Sequence, residues 1–510
     1  MHIRRSVPSL LLALAAACAP ASPTVAPAPA PLPASMPAPA ATPAIAGALD
    51  SIFNDTAFAS AHWGVLVRSL ESGATLYARN AGRMFVPASN MKIVTAAGAL
   101  EGLGPDYRYT TRIAASGPVR DGVLRGDLVV IGGGDPTISD RFHGEVRTVF
   151  RAWADSLRAR GVRRITGAVI GNDDVFDDVA LGRGWAWDDL EDSYSAEVGG
   201  LMLNEGFVTV RISPAPGQRA AAVTTLPASD EWVPVVGNVW MAAAGTSPQV
   251  RVGRADSLGG VAVSGTLPPD TTVEAEVAVR NNTRYFASVL RQALLEAGIG
   301  VGGPSLDADD EPTRGRPEAS TVLFTHTSPP MREILAAFMK PSQNQIGEVL
   351  LKTLGRELRG MGSAGAGIAV IDSMAVAWGL PRRLLAQADG SGLSRYNLVA
   401  PEFLIALLRR EARGPHFEVF YAAMPVAGRD GTLANRMRGT PAEGNVHAKT
   451  GTLSGVRSLS GYFTTAAGER MVFSMMVNHH TLSARDADRV AEAALMRLIA
   501  LDRRTGPPRD

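Results

Sequence analysis

A chain of 510 residues is too long for one ordinary hydrophobic core, so about two or three domains are expected. Hydrophobic residues make up 46%, ample for burial, while acidic and basic residues cancel to a formal net charge of +1 with no long basic tract. That balance excludes nucleic acid and an anionic surface as evident partners and favours a small or polymeric substrate. Cys18 is the only cysteine, so an internal disulfide and a zinc–thiolate site are both excluded; no metal and no cofactor is expected.

The opening MHIRRSVPSLLLALAAAC has a short positive region, an apolar run and small residues ending at Cys18. This reads as an export signal, too short for a spanning helix. It resembles a bacterial lipoprotein signal, in which cleavage leaves Cys18 as a lipidated N-terminus, although the usual leucine three residues earlier is Ala15. Simple cleavage near Ala17, with an incidental thiol, is the alternative. Residues 19–45, nearly all Ala, Pro, Ser and Thr, read as an extended tether to a membrane surface.

From Ala46 a short apolar helix leads to WGVLVRSL and ATLYARN, a β-hairpin turning at Glu71-Ser72-Gly73. PASNMKIVTAAGALEGL reads as a helix whose first turn holds Ser89. Between about 113 and 320, short Val/Ile-rich strands such as LRGDLVVIGG, RRITGAVIGN, GFVTVRIS and TVEAEVAVR, with one helix near 282–298, predict a mostly-β insertion. Near the C-terminus, NVHAKTGTLSGVRSLSGYFTTAAGERMVFSMMVN gives three strands, and 482–502 a long amphipathic helix. Hairpins from both ends can therefore join one antiparallel sheet flanked by helices. The expected division is a catalytic domain of 46–112 and 321–505, an inserted domain of 113–213 and 266–320, and a nested subdomain of 214–265.

Three signatures follow in order: Ser89-Asn90-Met91-Lys92, Ser342-Gln343-Asn344 and Lys449-Thr450-Gly451. Each is weak alone, but each also falls on the element its chemistry needs: a helix start, a turn before a helix, and a strand entering a hairpin. Residues three apart on a helix share a face, so Lys92 can reach the Ser89 hydroxyl. A serine needs a base to become a nucleophile, and no histidine triad is evident. An ammonium cannot serve, so Lys92 must be partly neutral, an outcome that burial and the cation Lys449 would promote. A serine N-cap followed by a solvated lysine is the competing reading of the first signature.

Composition bears on that choice. Of 50 basic residues only Lys92, Lys340, Lys352 and Lys449 are lysines. Arg fills positions that need only charge, whereas a position that needs a removable proton cannot take it. Two of the four lysines lie in the signatures. Lys352, on the helix beyond the second, is expected to tolerate arginine.

With these signatures, and with GGGDPTIS (132–139), GWAWDDL (184–190), MKPSQNQIGE (339–348) and DGSGLSRYN (389–397), the chain resembles the class C low-molecular-mass penicillin-binding proteins, the D-alanyl-D-alanine carboxypeptidase/endopeptidase family. The resemblance implies an α/β, penicillin-binding/serine β-lactamase-like transpeptidase fold with mostly-β inserted domains. It implies Ser89 as acylated nucleophile, Lys92 as base, Ser342 as proton relay, and Asn344 as orienter of Lys92 and binder of a substrate amide. Lys449 and Thr450 would receive the terminal carboxylate, Gly451 would leave room for an extended peptide, and backbone N–H groups of Ser89 and Thr452 would form the oxyanion hole. Partners would be peptidoglycan stem peptides and, as covalent inhibitors, β-lactams, with the enzyme in the periplasm or cell envelope.

The GGGDP glycines precede no helix and read as a tight turn rather than a phosphate loop. His479-His480 and Asp307-Ala308-Asp309-Asp310 show no metal-ligand pattern. Asp389 and Asp188 or Asp189 could touch a substrate side chain, with loop capping as the alternative. A serine β-lactamase shares the signatures, but no segment can be assigned to its deacylating glutamate; a non-catalytic tethered module would have no use for a neutral lysine beside a serine.

Overall fold

The structure, a computed structural model, describes residues 43–229, 231–255, 260–310 and 320–504. Cys18 and the tether up to residue 42 lie outside them. The first helix, Pro43–Phe53, begins inside the stretch assigned to the tether, with Pro43 in its first turn, where a missing N–H costs nothing.

Five strands form one antiparallel sheet in the order Thr75–Arg79, His62–Ser69, Arg470–Asn478, Val456–Thr464, His447–Leu453. The N-terminal hairpin and the C-terminal three-stranded unit thus meet along His62–Ser69 and Arg470–Asn478, joining one sheet from the two ends of the chain. Period-two alternation sends Val65 and Val67 to one face and Leu66 to the other. The first face packs on Leu49 and Phe53 of the first helix and on Leu495 and Leu498 of the C-terminal helix Ala484–Ile499. Leu66, Val472 and Met476 of the second face join a larger core with helices Met91–Leu103, Met331–Met339, Asn344–Arg359 and Pro401–Glu411.

The insertion has its own core, in which Phe150, Trp153, Phe286 and Leu290 of two helices cover Ile113, Val130 and Val169. Its main sheet runs Ser305–Asp307, Val169–Asn172, Leu128–Ile131, Thr110–Ala115, Thr321–Thr327. The last two strands pair with each other, so residues straddling the expected boundaries at 112 and 321 close the insertion's sheet from its two ends. Ala222–Leu226, placed by sequence in the nested segment, pairs instead with Phe207–Ser213. A separate three-stranded sheet spans Val235–Met241, Val261–Leu267 and Gln249–Arg254. Strand partners here are distant in sequence, which is why composition misplaced the edges.

Candidate active site

Ser89 lies in a 3-10 turn, Ala88–Asn90, immediately before the helix Met91–Leu103, rather than in the first α-helical turn. Ala88 is left-handed, with φ +48°. The turn is clamped from several sides: Ser458 Oγ donates to Pro87 O (2.6 Å), and Asn90 Nδ2 to Lys449 O (2.9 Å). A Cβ on Gly451 would lie 2.7 Å from Pro87 O and 3.0 Å from Ser89 N. Gly451 therefore admits the strand against the nucleophile's own turn, while also lining the cavity.

Lys92 is fully buried, and its Nζ lies 2.9 Å from Ser89 Oγ, 2.6 Å from Asn344 Oδ1 and 2.7 Å from Ser391 O. Burial lowers its pKa to about 7, against the opposing pull of the Asp389 and Glu348 carboxylates. Lys449, also buried, is held well below the ordinary lysine value by burial and by repulsion from Lys92. The cation–cation effect anticipated at Lys92 thus falls on Lys449, and the two carboxylates act on Lys92 in the opposite sense.

The second signature is a left-handed turn, Ser342 having φ +68°, that opens the helix Asn344–Arg359. Ser342 Oγ accepts from Lys449 Nζ at 2.8 Å. Asn344 Oδ1 accepts from Lys92 Nζ, and one N–H of its Nδ2 donates to Tyr194 O (2.7 Å), leaving the second N–H at the cavity wall. Lys449 Nζ also donates to Thr450 O (2.9 Å) and sits behind the cavity, whereas Thr450, bonded to Thr432 Oγ1 (2.7 Å), lines it. The ammonium expected to meet a substrate carboxylate thus reaches the cavity only through Ser342 and the Thr450 backbone.

These groups surround a cavity of about 450 Å³ whose walls include Ser89, Ser342, Asn344, Thr450, Gly451 and Thr452. Gly184, Ala186, Asp189 and Tyr194 of the insertion also line it. Tyr194 Oη donates to Asp189 Oδ1 (2.9 Å), and Gln345 Nε2 to Ser193 O (2.9 Å), so the insertion forms one wall of the site and is bonded to the second signature. GWAWDDL was the sequence signal for this wall, but spacing alone could not bring residue 189 to residue 89. Asp389 is fully buried and caps its loop, accepting from Gly392 N (2.7 Å) and Ser394 N (2.6 Å). Away from the cavity, ligand-capable oxygens of Asp173, Asp307 and Asp309 lie within 4.8 Å of one another, a grouping that the linear acidic run did not reveal.

Lys352 corrects an expectation. Only 3% exposed, it donates to Asp177 Oδ1 (2.7 Å), Asp177 O (3.1 Å) and Val179 O (2.8 Å). Lys352→Arg should therefore destabilise the protein by about 1–3 kcal/mol, the scale of overpacking a filled site, read as a lowered thermal midpoint. An unchanged midpoint would show that the pocket accepts the larger guanidinium.

Serine enzymes with a lysine three residues beyond the nucleophile, a Ser-x-Asn turn and a Lys-Thr-Gly strand form the penicillin-binding and serine β-lactamase-like class, and this fold is of that class. Within it, the chain belongs to the D-Ala-D-Ala carboxypeptidase 3 (S13) family, which it matches over residues 45–499. It is a serine-type carboxypeptidase of the low-molecular-mass class C penicillin-binding proteins. It is 36% identical over 462 residues to a D-alanyl-D-alanine carboxypeptidase of Actinomadura sp. (strain R39), covering 86% of this chain and 82% of that one. Similarity to D-alanyl-D-alanine carboxypeptidase DacB of Haemophilus influenzae is 26% over 424 residues, or 82% and 85% of the two chains. The crystal structure of penicillin binding protein 4 (dacB) from Haemophilus influenzae matches with a TM-score of 0.73 at 26% identity, over 88% of this chain and 97% of that one.

Proposed function

We propose that the enzyme cleaves the terminal D-alanyl-D-alanine bond of peptidoglycan stem peptides, and cross-links between them, through an acyl-enzyme at Ser89 that penicillins trap. The observation that carries this reading is the set of partners around Lys92. Two of them, Asn344 Oδ1 and Ser391 O, can only accept. A neutral amine satisfies both with its two N–H bonds, and its lone pair then faces the Ser89 hydroxyl.

In that state Lys92 takes the hydroxyl proton as Ser89 Oγ attacks the carbonyl carbon. The oxyanion is received by the backbone N–H groups of Ser89 and Thr452. As the C–N bond breaks, Lys92 returns the proton through Ser342 to the departing amine, and water later hydrolyses the ester. The Thr450 hydroxyl faces the substrate carboxylate, with Lys449 supplying positive potential from behind.

A fast β-lactamase needs a base for the deacylating water. Asp189 is the only carboxylate among the described cavity-lining residues, and it is bonded to Tyr194; Glu348 faces backbone N–H groups instead. The adduct with penicillin should therefore be long-lived. The test is intact-mass detection of that adduct, together with release of D-alanine from a stem peptide and of monomers from a cross-linked dimer. Rapid penicillin turnover without a persistent adduct would favour the β-lactamase reading, and no adduct or release at all would favour a binding module.

The N-terminal pattern supports export to the periplasm or cell envelope with a lipid on Cys18. Mass spectrometry of the exported protein should find diacylglycerol there; an unmodified Cys18, or an N-terminus beyond it, would refute the anchor without touching the enzyme.

A further inference from the structure

Glu348 is almost completely buried, one helical turn beyond Asn344 and on the same face of Asn344–Arg359. Its Oε1 accepts from Gly390 N (3.0 Å) and Ser391 N (2.8 Å), and its Oε2 from Gly390 N (2.9 Å). The carbonyl of that same Ser391 accepts from Lys92 Nζ. Asn344 couples this helix to the base directly, and Glu348 couples it through a single residue of the loop, Ser391.

The loop between them has little room to drift. A Cβ on Gly390 would lie 2.2 Å from Gly347 O, and one on Gly392 only 1.9 Å from Ala88 O, so the loop is pressed between the Glu348 helix and the nucleophile's turn. Thr95 Oγ1 donates to Gly390 O (2.7 Å) and adds a tie from the Lys92 helix.

We propose that Glu348 is a positioning residue for the Ser89–Lys92 pair: its carboxyl group fixes the Ser391 loop segment whose carbonyl orients Lys92 Nζ. This rests on Lys92 being the base. The charged groups around the pair are Asp389 on the loop, Lys449 on the third-signature strand, and Lys352 one turn along the helix, the last engaged with Asp177. Asp389 also raises the Lys92 pKa, but its carboxylate accepts from Gly392 N, Ser394 N, Asn397 Nδ2 and Trp185 Nε1. Burial pushes the Glu348 carboxyl up to about 8, so near neutral pH it is largely the uncharged acid, whose oxygens still accept from the loop N–H groups.

The experiment is the second-order acylation rate with one penicillin, from about pH 5 to about pH 10, for wild type, Glu348→Gln, Glu348→Asp and Lys92→Arg. Glu348→Gln places an NH2 against Gly390 N, which both carboxyl oxygens now face, so the acylation plateau should fall about 10- to 100-fold from misplacement of the base while the non-covalent affinity for the penicillin stays near wild type. Glu348→Asp keeps the acid and withdraws it from the loop, so its plateau should fall as well. Thermal midpoints report folding, and the wild-type protein supplies a readout that needs no variant. With only four lysines in the chain, the Lys92 ε-carbon can be followed by NMR and should titrate near pH 7, as a base at this position requires.

A Glu348→Gln profile that superimposes on wild type would overturn the inference, as would a slower rate matched by an equal loss of non-covalent penicillin affinity or by a lowered thermal midpoint. Should Lys92→Arg acylate at the wild-type rate, the base assignment itself fails. A slow Lys92→Arg beside a wild-type Glu348→Gln profile sinks this inference alone.

Discussion

Ser89→Ala is expected to yield no covalent penicillin adduct and no D-alanine release, with the thermal midpoint close to that of wild type. The hydroxyl is the only group of the turn within reach of Lys92 Nζ, at 2.9 Å. Its removal leaves the turn's principal clamps in place, because Ser458 bonds Pro87 O and Asn90 bonds Lys449 O without involving the serine side chain. Alanine also suits a 3-10 turn, so the variant separates chemistry from folding. Non-covalent binding of a stem peptide should survive, since Thr450, Thr452 and the insertion wall are untouched. Peptide mapping of a residual adduct onto another serine would sink the Ser89 assignment.

Lys92→Arg should lower the acylation rate by about two to four orders of magnitude, the usual scale for losing a general base. The cause is proton affinity, since a guanidinium stays protonated under any working condition. Lysine at this position can give up its proton because burial lowers its pKa to about 7. Wild-type acylation should accordingly rise with pH through about 7 and level off as the neutral amine becomes the dominant form. In the arginine variant that acid limb should vanish. A melting curve is needed beside the rate, because a larger cation has been placed in a fully buried site. A folded Lys92→Arg protein that acylates at the wild-type rate would refute the mechanism even with Ser89 as nucleophile.

The four lysines illustrate how composition and structure complement each other. Against 46 arginines, as 50 basic residues less four lysines implies, their scarcity marked positions where a compact ammonium matters. The structure bears this out more widely than expected: Lys92, Lys352 and Lys449 are buried, and Lys340 pairs with Asp430 at 2.6 Å. Composition could not tell a lysine that must lose its proton from one that must fit a tight pocket. Their neighbours decide it: Lys92 faces a hydroxyl, whereas Lys352 faces the Asp177 carboxylate and two carbonyls.

What the sequence determined by itself was local or periodic. The alternation in the N-terminal hairpin and the near-continuous apolar run of Arg470–Asn478 specified strands, and the Ser89–Lys92 spacing specified a shared side of one helical segment. The order of the signatures, on elements suited to each, defined the class of chemistry. Tertiary structure alone decided whatever depends on partners remote in the chain. It placed Tyr194 O on Asn344, so that one N–H of this amide is already engaged, and it turned Gly451 toward the nucleophile's turn. It also put Lys449 behind the cavity wall and drew Thr321–Thr327 into the insertion's sheet. Above all, it buried Glu348 and Asp389 near Lys92, where removal from water makes proton affinity depend on the surrounding charges as well as on residue type.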